Sequence, residues 1–505
     1  MTRGNIPLTP ELGVARSQIE AFLSAGPFRL FENDVESAVP HHHAAVEVSF
    51  GKLIFACWTE DWSRSWRVVG CEQTRFGLRL TCTKQMGLKS CRLDLSRAGG
   101  NVEDYSRAQV GGLLPGLIES KLPGFKVNRI ASATLGDDSR TVHHRFVLEN
   151  RREIAAGIAV SESDSQDAID ATLGAGIVWR SELRKKHSGT GRLMIFVPRK
   201  SSATIATRLC AVKDRETILL FEYDVHEHEL QPITAFNQGD LVDRLRSTSR
   251  RVAWPRPKDL DADTRVVINS VTLLEPNEIE HRVKGNRVIF SIRGLDFARL
   301  VIGRKRVEFG VGDFKTILDR TTRGQLRELI ENITMRREPD TRQPGDPLFR
   351  VQPERWLETT IIKDVTAIDP TLDADHIYSQ VPAYRGDQRS YIDLLGVTRR
   401  GRLVVIELKV AEDPDFPFQG LDYWTRVEWH RRRGDFYRRG YFKEVRLSDE
   451  SPLLYLVAPL FRFHASTALI TGGIVDEVPV FRIGINEDWR RGVRVLLTER
   501  MNPKF

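Results

Sequence analysis

Between Val46 and Leu95 apolar and polar residues alternate in short runs. The runs Val46–Trp58, Trp66–Gln73, Gly77–Lys84 and Lys89–Leu95 are separated by polar or glycine-containing turns. A period of two predicts a β-meander. The rhythm then changes. Ser106–Leu122 has helical spacing, interrupted by Pro115, and strand-like Phe125–Ala133, His143–Glu149 and Glu153–Val160 follow. A helix over Ser165–Lys185, a strand over Leu193–Val197, a helix over Ser202–Val212 and a strand over Thr217–Tyr223 complete an α/β pattern with a partly parallel sheet. Residues 240–340 read as mixed α+β, with helices at Asp240–Arg251 and Arg323–Arg337 and strands at Val266–Leu274, Arg287–Ile292 and Val307–Val311. Arg337–Pro347 holds three prolines and no apolar side chain besides them, the pattern of a linker. From Phe349 a last α/β stretch begins. It has helices at Glu354–Ile368, Gln419–Tyr437 and His464–Leu469, a hairpin around Asp393, and strands at Leu453–Val457, Val478–Ile485 and Val493–Thr498.

The expected partition is a β-rich N-terminal domain (1–102), an α/β domain (103–235), a mixed region (236–337), a linker (338–348) and a second α/β domain (349–505). The two α/β stretches run through the same order of elements. Ile195-Phe196-Val197-Pro198 precedes a short helix, as Leu456-Val457-Ala458-Pro459 does. Gly157–Ser161 falls where Val405–Lys409 would fall, with Ala159 and Ser161 expected in place of Glu407 and Lys409. The expectation is a duplicated domain whose first copy has lost its charges.

The 505 residues carry a net charge of +8 and 41% hydrophobic side chains, enough for ordinary cores and compatible with a polyanionic partner. No apolar run approaches the roughly 18 residues a membrane helix needs, and Met1–Pro7 lacks a secretory apolar region. A cytoplasmic protein without a membrane partner is expected. Five scattered cysteines argue against a disulfide framework, and no Cys-x-x-Cys pair suggests structural zinc. His41-His42-His43 lacks partners at ligand spacing and reads as a polar loop. Trp58, Trp62 and Trp66 suit packing in the meander better than base stacking.

The chemistry concentrates in Leu403-Val404-Val405-Ile406-Glu407-Leu408-Lys409. This is an apolar strand ending in two charges that share a face. Burying them is costly unless they pair, bind a metal or react. Tyr391–Val397 carries Asp393, and the polar turn Arg399-Arg400-Gly401-Arg402 would fold it back beside Glu407. Gln419 and Tyr423, four apart on a helix, share a face. Glu358 stands on an earlier helix. Glu412-Asp413-Pro414-Asp415 reads as the start of a polar loop. Trp429–Tyr441 interleaves Arg431, Arg432, Arg433, Arg438 and Arg439 with aromatics, which suits phosphate contacts and base stacking, or equally a solvated helix end. Arg299–Arg306 is a weaker basic segment and reads as a hairpin tip.

As a set, Glu358, Asp393, Glu407-Leu408-Lys409 and Gln419-x-x-x-Tyr423 resemble the PD-(D/E)XK nuclease superfamily, in particular its RecB-like and mismatch-endonuclease-like members with a Gln-x-x-x-Tyr helix. The resemblance covers roughly residues 350–500. It lacks the usual proline, since Ile392 precedes Asp393. It implies a restriction-endonuclease-like α/β/α core with a mixed sheet in the C-terminal domain, and a degenerate copy of it in the first half.

It further implies a metal-dependent nuclease acting on DNA rather than RNA, in repair or in defence against foreign DNA. Asp393, Glu407 and the Leu408 carbonyl would hold Mg²⁺ or Mn²⁺, with Glu358 as an outer ligand through water. Lys409 would orient the attacking water and stabilise developing charge. Gln419 and Tyr423 would orient substrate. The N-terminal half would supply DNA binding, regulation, or contacts to a partner protein or a second copy. The competing reading is a non-catalytic nucleic-acid-binding or scaffold protein that keeps only the fold.

Overall fold

The computed structural model describes residues 9–25, 28–32, 35–37, 44–49, 52–58, 63–74, 77–84, 89–96, 102–129, 143–162, 164–187, 189–225, 227–233, 260–284, 286–303, 306–312, 316–341, 345–385 and 388–502. The chain is mixed α/β. Its strands, in order, are β1 (Arg29–Glu32), β2 (Val35–Ser37), β3 (Ala44–Ser49), β4 (Lys52–Trp58), β5 (Ser63–Thr74), β6 (Gly77–Lys84), β7 (Lys89–Ser96), β8 (Lys126–Arg129), β9 (His144–Glu149), β10 (Ile154–Ala159), β11 (Thr190–Pro198), β12 (Ile218–Asp224) and β13 (Glu229–Pro232). There follow β14 (Ile279–Lys284), β15 (Arg287–Ile292), β16 (Leu295–Val301), β17 (Arg306–Phe309), β18 (Thr316–Ile317), β19 (Tyr378–Arg385), β20 (Gln388–Val397), β21 (Leu403–Leu408), β22 (Leu453–Pro459), β23 (Val480–Ile485) and β24 (Val495–Arg500). Among the described residues no helix is long and apolar enough to cross a membrane. Two compact units form, each from two separated segments: Met1–Gly99 with Pro257–Thr360, and Gly100–Arg256 with Ile361–Phe505.

The first unit holds an antiparallel sheet ordered β2-β1-β7-β6-β5-β4-β3 and an antiparallel meander β14 to β18. Trp66 is buried against Phe55, and Trp58 joins the core built around Phe290 and Phe297, so both tryptophans pack. Trp62, His41–His43 and the expected helix 240–251 lie outside the described residues. The expected strand Val266–Leu274 is instead part of a helix, Ala262–Thr272. Its β-branched run suggested a strand, but Ile268 and Val271 lie on one helical face and Asp261 caps the first turn by accepting from the Thr264 N–H at 2.7 Å. Pro115 sits inside the helix Val102–Lys121 without ending it. The proline-rich stretch 338–348 falls within the first unit, whose boundary lies later, at Thr360. The fully buried Arg337 pins both ends of that stretch, donating to the carbonyls of Leu348 (2.5 Å), Val351 (2.9 Å) and Arg293 (2.8 Å).

The second unit holds two sheets of identical plan. One runs β8-β9-β10-β11-β12-β13 and the other β19-β20-β21-β22-β23-β24. In each, the first three strands are antiparallel neighbours, the third, fourth and fifth are parallel, and the sixth is antiparallel. In each, the long crossover is helical: Gln166–Asp170 with Thr172–Lys186 in the first, Phe416–Arg432 with Asp435–Arg438 in the second. The expected single helix 419–437 breaks at Gly434, whose φ of +66° is left-handed. The next crossover carries a short helix, Ala203–Leu209 or Thr467–Gly472.

The two halves of this unit, called copies for their shared strand plan alone, join through matching segments. Val212 and Ile474 form an antiparallel bridge; the Lys213 N–H donates to the Gly473 carbonyl at 2.8 Å, and the Val475 N–H to the Ala211 carbonyl at 2.9 Å. Each bond is the other with the copies exchanged, the signature of an isologous contact. Helix-facing residues of both sheets form one continuous core.

Two consequences can be measured. Gly401, in the turn joining β20 to β21, has φ +83°, and a Cβ there would come 2.0 Å from the Arg446 carbonyl oxygen. Gly401→Ala is expected to cost at least about 1–3 kcal/mol in denaturant unfolding. In the first copy, His143 Nε2 donates to the Ala168 carbonyl at 3.0 Å, while Nδ1 is buried without a partner among the described residues. Burial pushes its pKa from 6.5 down to about 4. A depressed histidine pKa contributes stability above 6.5 that is lost as pH falls towards 4, because the unfolded chain binds that proton first. The Tm of His143→Gln relative to wild type should therefore rise steadily as pH is lowered from 6.5 to 4.

Candidate active site

The apolar run Leu403–Leu408 forms β21, buried along its whole length between β20 and β22. Its register with β20 pairs Leu394 with Ile406 and Val397 with Leu403. One step further along the same register, Asp393 stands opposite Glu407, on the same sheet face. Asp393 is held there by its oxygens: Oδ2 accepts from the Leu408 N–H at 2.9 Å and Oδ1 from Gln380 Nε2 at 3.2 Å. In an extended strand a residue's N–H and C=O project to the same side, so the Leu408 carbonyl is directed towards Asp393. Glu407 is 5% exposed. Lys409 follows on the face of Glu407, its backbone N–H donating to the Val457 carbonyl at 3.0 Å.

The helix Phe416–Arg432 packs over this face, with Gly420 allowing it close to Leu454 and Leu456. Tyr423 is buried and its hydroxyl bonds to the Ser390 hydroxyl on β20. Lys409 Nζ meets Asp413 Oδ2 at 3.0 Å, and Gln419 Nε2 donates to the same oxygen at 3.3 Å. Glu412–Asp415 does open a polar loop, as expected, and within it Asp413 couples Lys409 to Gln419. The Asp415 N–H donates to Asp413 Oδ1 at 2.8 Å, and the Asp415 carboxylate pairs with Arg208 of the first copy. The spacing of an acid four residues after Lys409 was visible in the sequence. The partner Arg208, about two hundred residues away, left no local signal.

Glu358 lies on the helix Pro353–Lys363, 2% exposed, and its carboxylate is taken by Arg355 Nη1 at 2.5 Å. It falls in the first unit, whereas Asp393, Glu407, Lys409, Gln419 and Tyr423 belong to the second. Among the described residues no three His, Cys, Asp or Glu side chains gather as a metal-holding group. The ligands expected for a divalent cation are two carboxylates, Asp393 and Glu407, and the Leu408 carbonyl. That set suits Mg²⁺, which commonly takes one or two carboxylates and keeps several waters.

Of the arginines, Arg431 is spent inside the helix, its Nε 2.7 Å and its Nη2 3.0 Å from the buried Glu428. Arg432 donates to the same carboxylate at 2.7 Å. Arg432, Arg433 and Arg438 are exposed, with Arg433 over the Trp429 ring at 4.5 Å from its centroid. Arg439 is partly buried. Of the weaker basic segment, Arg299 pairs with Glu308 at 2.7 Å, while Arg304 and Lys305 lie outside the described residues.

The first copy places different residues at the same positions. Val160 N–H donates to Phe196, two residues before Pro198, just as Lys409 N–H donates to Val457, two residues before Pro459. Val160 therefore takes the place of Lys409, and Ile158 that of Glu407. The likeness of the two sequence stretches suggested Ala159 and Ser161, one residue out of register; Ala159 points to the opposite face, into a separate core with Phe196 and Tyr223. Opposite Ile158 stands Arg145, in the place of Asp393. With Gly176 against Ile158 and Leu193 as Gly420 is against its strands, Ala175 and Trp179 occupy the positions of Gln419 and Tyr423. The first copy thus carries none of the five side chains. No protein-family model and no curated protein matches this chain.

The site makes a prediction independent of any activity. Replacing Asp413 with Asn weakens the hold on the Lys409 ammonium, so Lys409 should acylate several-fold faster than in wild type with an amine-reactive label read by mass spectrometry.

Proposed function

We propose that this chain is a metal-dependent nuclease, with a restriction-endonuclease-like core in residues 361–505 and an inert copy of it in residues 100–233. The observation that carries this reading is the opposition of Asp393 and Glu407 on adjacent strands, with Lys409 on the same face and coupled through Asp413 to Gln419. Paired hard oxygens beside a cation are what hydrolysis of a phosphodiester requires. Bound Mg²⁺ or Mn²⁺ would polarise the phosphate and lower the pKa of a coordinated water.

The chain's own residues do the rest. Lys409 can hold the attacking water, with Asp413 keeping its ammonium aimed. Gln419 and Tyr423, on one helical face, line the position of the substrate phosphate. The exposed Arg432, Arg433 and Arg438 offer contacts to neighbouring phosphates, and Trp429 an aromatic face beside them. DNA as the substrate, and a role in repair or defence, rest on the family resemblance.

The test is incubation of supercoiled plasmid and single-stranded DNA with Mg²⁺ or Mn²⁺. Cleavage by wild type is expected to fall by about 10²–10³-fold in Glu407→Ala and Lys409→Ala. Equal cleavage by those variants would refute the site, whereas tight DNA binding without cleavage by wild type would favour a non-catalytic binding protein. The combined Arg432→Ala, Arg433→Ala and Arg438→Ala variant should bind DNA more weakly and with a shallower salt dependence, by about 0.9 in slope for each phosphate no longer neutralised.

A further inference from the structure

Arg208 belongs to the inert copy, yet its guanidinium is fully buried among residues of the other. Nη1 and Nη2 clasp the Asp415 carboxylate at 2.8 and 3.2 Å. Nε and Nη2 clasp Asp422 at 3.1 and 2.8 Å, and Nη1 also donates to the Asp170 carbonyl at 2.6 Å. The group lies 5.2 Å from the Phe418 ring centroid. The two carboxylates outweigh the burial that disfavours charge and hold Arg208 firmly protonated.

The exchanged position tells what this cluster is not needed for. Under the correspondence set by the reciprocal bonds of Lys213 and Val475, Arg208 matches Ile470. Phe418 likewise matches Gly174 two residues before each packing glycine, and Ile470 does pack against Gly174. The same interface is closed on its other side by an aliphatic contact. Ala171 and Val178 stand there in place of Asp415 and Asp422. Apolar replacement of buried ion pairs is often neutral or stabilising, so adhesion of the copies gives no reason for a cation here.

Position gives one. Asp415 precedes the helix Phe416–Arg432 but makes no side-chain cap to it, its oxygens being committed to Arg208. Its own N–H fixes Asp413 Oδ1, and Asp413 Oδ2 receives both Lys409 and Gln419. We propose that Arg208 is a positioning residue: the inert copy sets the Lys409–Asp413–Gln419 geometry of the active one through Asp415. This rests on the reading of Lys409 as catalytic, although the linkage itself can be measured without it.

The experiment compares Arg208→Lys, Asp415→Asn and Asp422→Asn in the full chain. Asp422 shares the cluster and its burial but stands within the helix, about two turns beyond Asp415. Three readouts are taken: thermal unfolding, single-turnover DNA cleavage at saturating and subsaturating enzyme, and acylation of Lys409. Arg208→Lys and Asp415→Asn are expected to lower the cleavage rate by about 10-fold to 10²-fold with unchanged DNA affinity, and to speed Lys409 acylation. Asp422→Asn should keep both within about twofold of wild type even where its Tm falls as far. Should Arg208→Lys not fold, Asp415→Asn, of the same shape and neutral, decides the matter. Losses that follow only the folded fraction in all variants, or no change in any, would overturn the proposal. If wild type cleaves nothing, the nuclease reading fails, while Lys409 acylation still decides whether Arg208 controls the site.

Discussion

A guanidinium removed from water must find an acceptor for every N–H and a charge to balance its own, and Arg208 finds both where the two halves of the second unit meet. That requirement ties together much of the second unit. It fixes the loop between β21 and the helix Phe416–Arg432, and so the orientation of that helix on the sheet. The helix in turn lays Gln419 and Tyr423 over the strand that carries Glu407 and Lys409. The reciprocal backbone bonds between residues 211–213 and 473–475 provide the frame, and the buried cation distinguishes its two sides.

The two copies show how one framework can be charged or apolar at equivalent points. Strand order, strand sense and crossover helices are the same. Glu407 and Lys409 have Ile158 and Val160 as counterparts, so the first copy buries aliphatic groups where the second accepts the cost of ions. Arg145, in the place of Asp393, lies 5.4 Å from the Trp179 ring centroid and reaches Glu182 at 3.2 Å. These contacts hold Arg145 in place.

Much of this was legible in the chain. Alternation gave the N-terminal meander, and the apolar run ending in Glu407 and Lys409 identified the strand at the centre of the site. The Asp393 hairpin followed from Gly401 between two such runs. What failed had local causes. Val266–Leu274 carries β-branched residues that favour a strand, but the capping Asp261 and the spacing of Ile268 and Val271 favour a helix. Asp413 and Asp415 do lie in a loop, but their partners, Lys409 and Arg208, are defined only by folding. The proline-rich stretch at 338–348 carries no local sign that Arg337 claims the carbonyls at its end.

The sequence by itself determined the elements whose physics is local: the period of each strand and helix, the turns, and the concentration of ionisable groups at one strand end. Register was beyond it. A shift of one residue moves every side chain to the other face of a sheet, and the pairing of Val160 with Phe196, not similarity of letters, decided that Ile158 stands for Glu407. Also beyond it was the bond from Arg208 to Asp415, because burial sets the strength of a charge pair, and burial exists only once both copies have folded against each other.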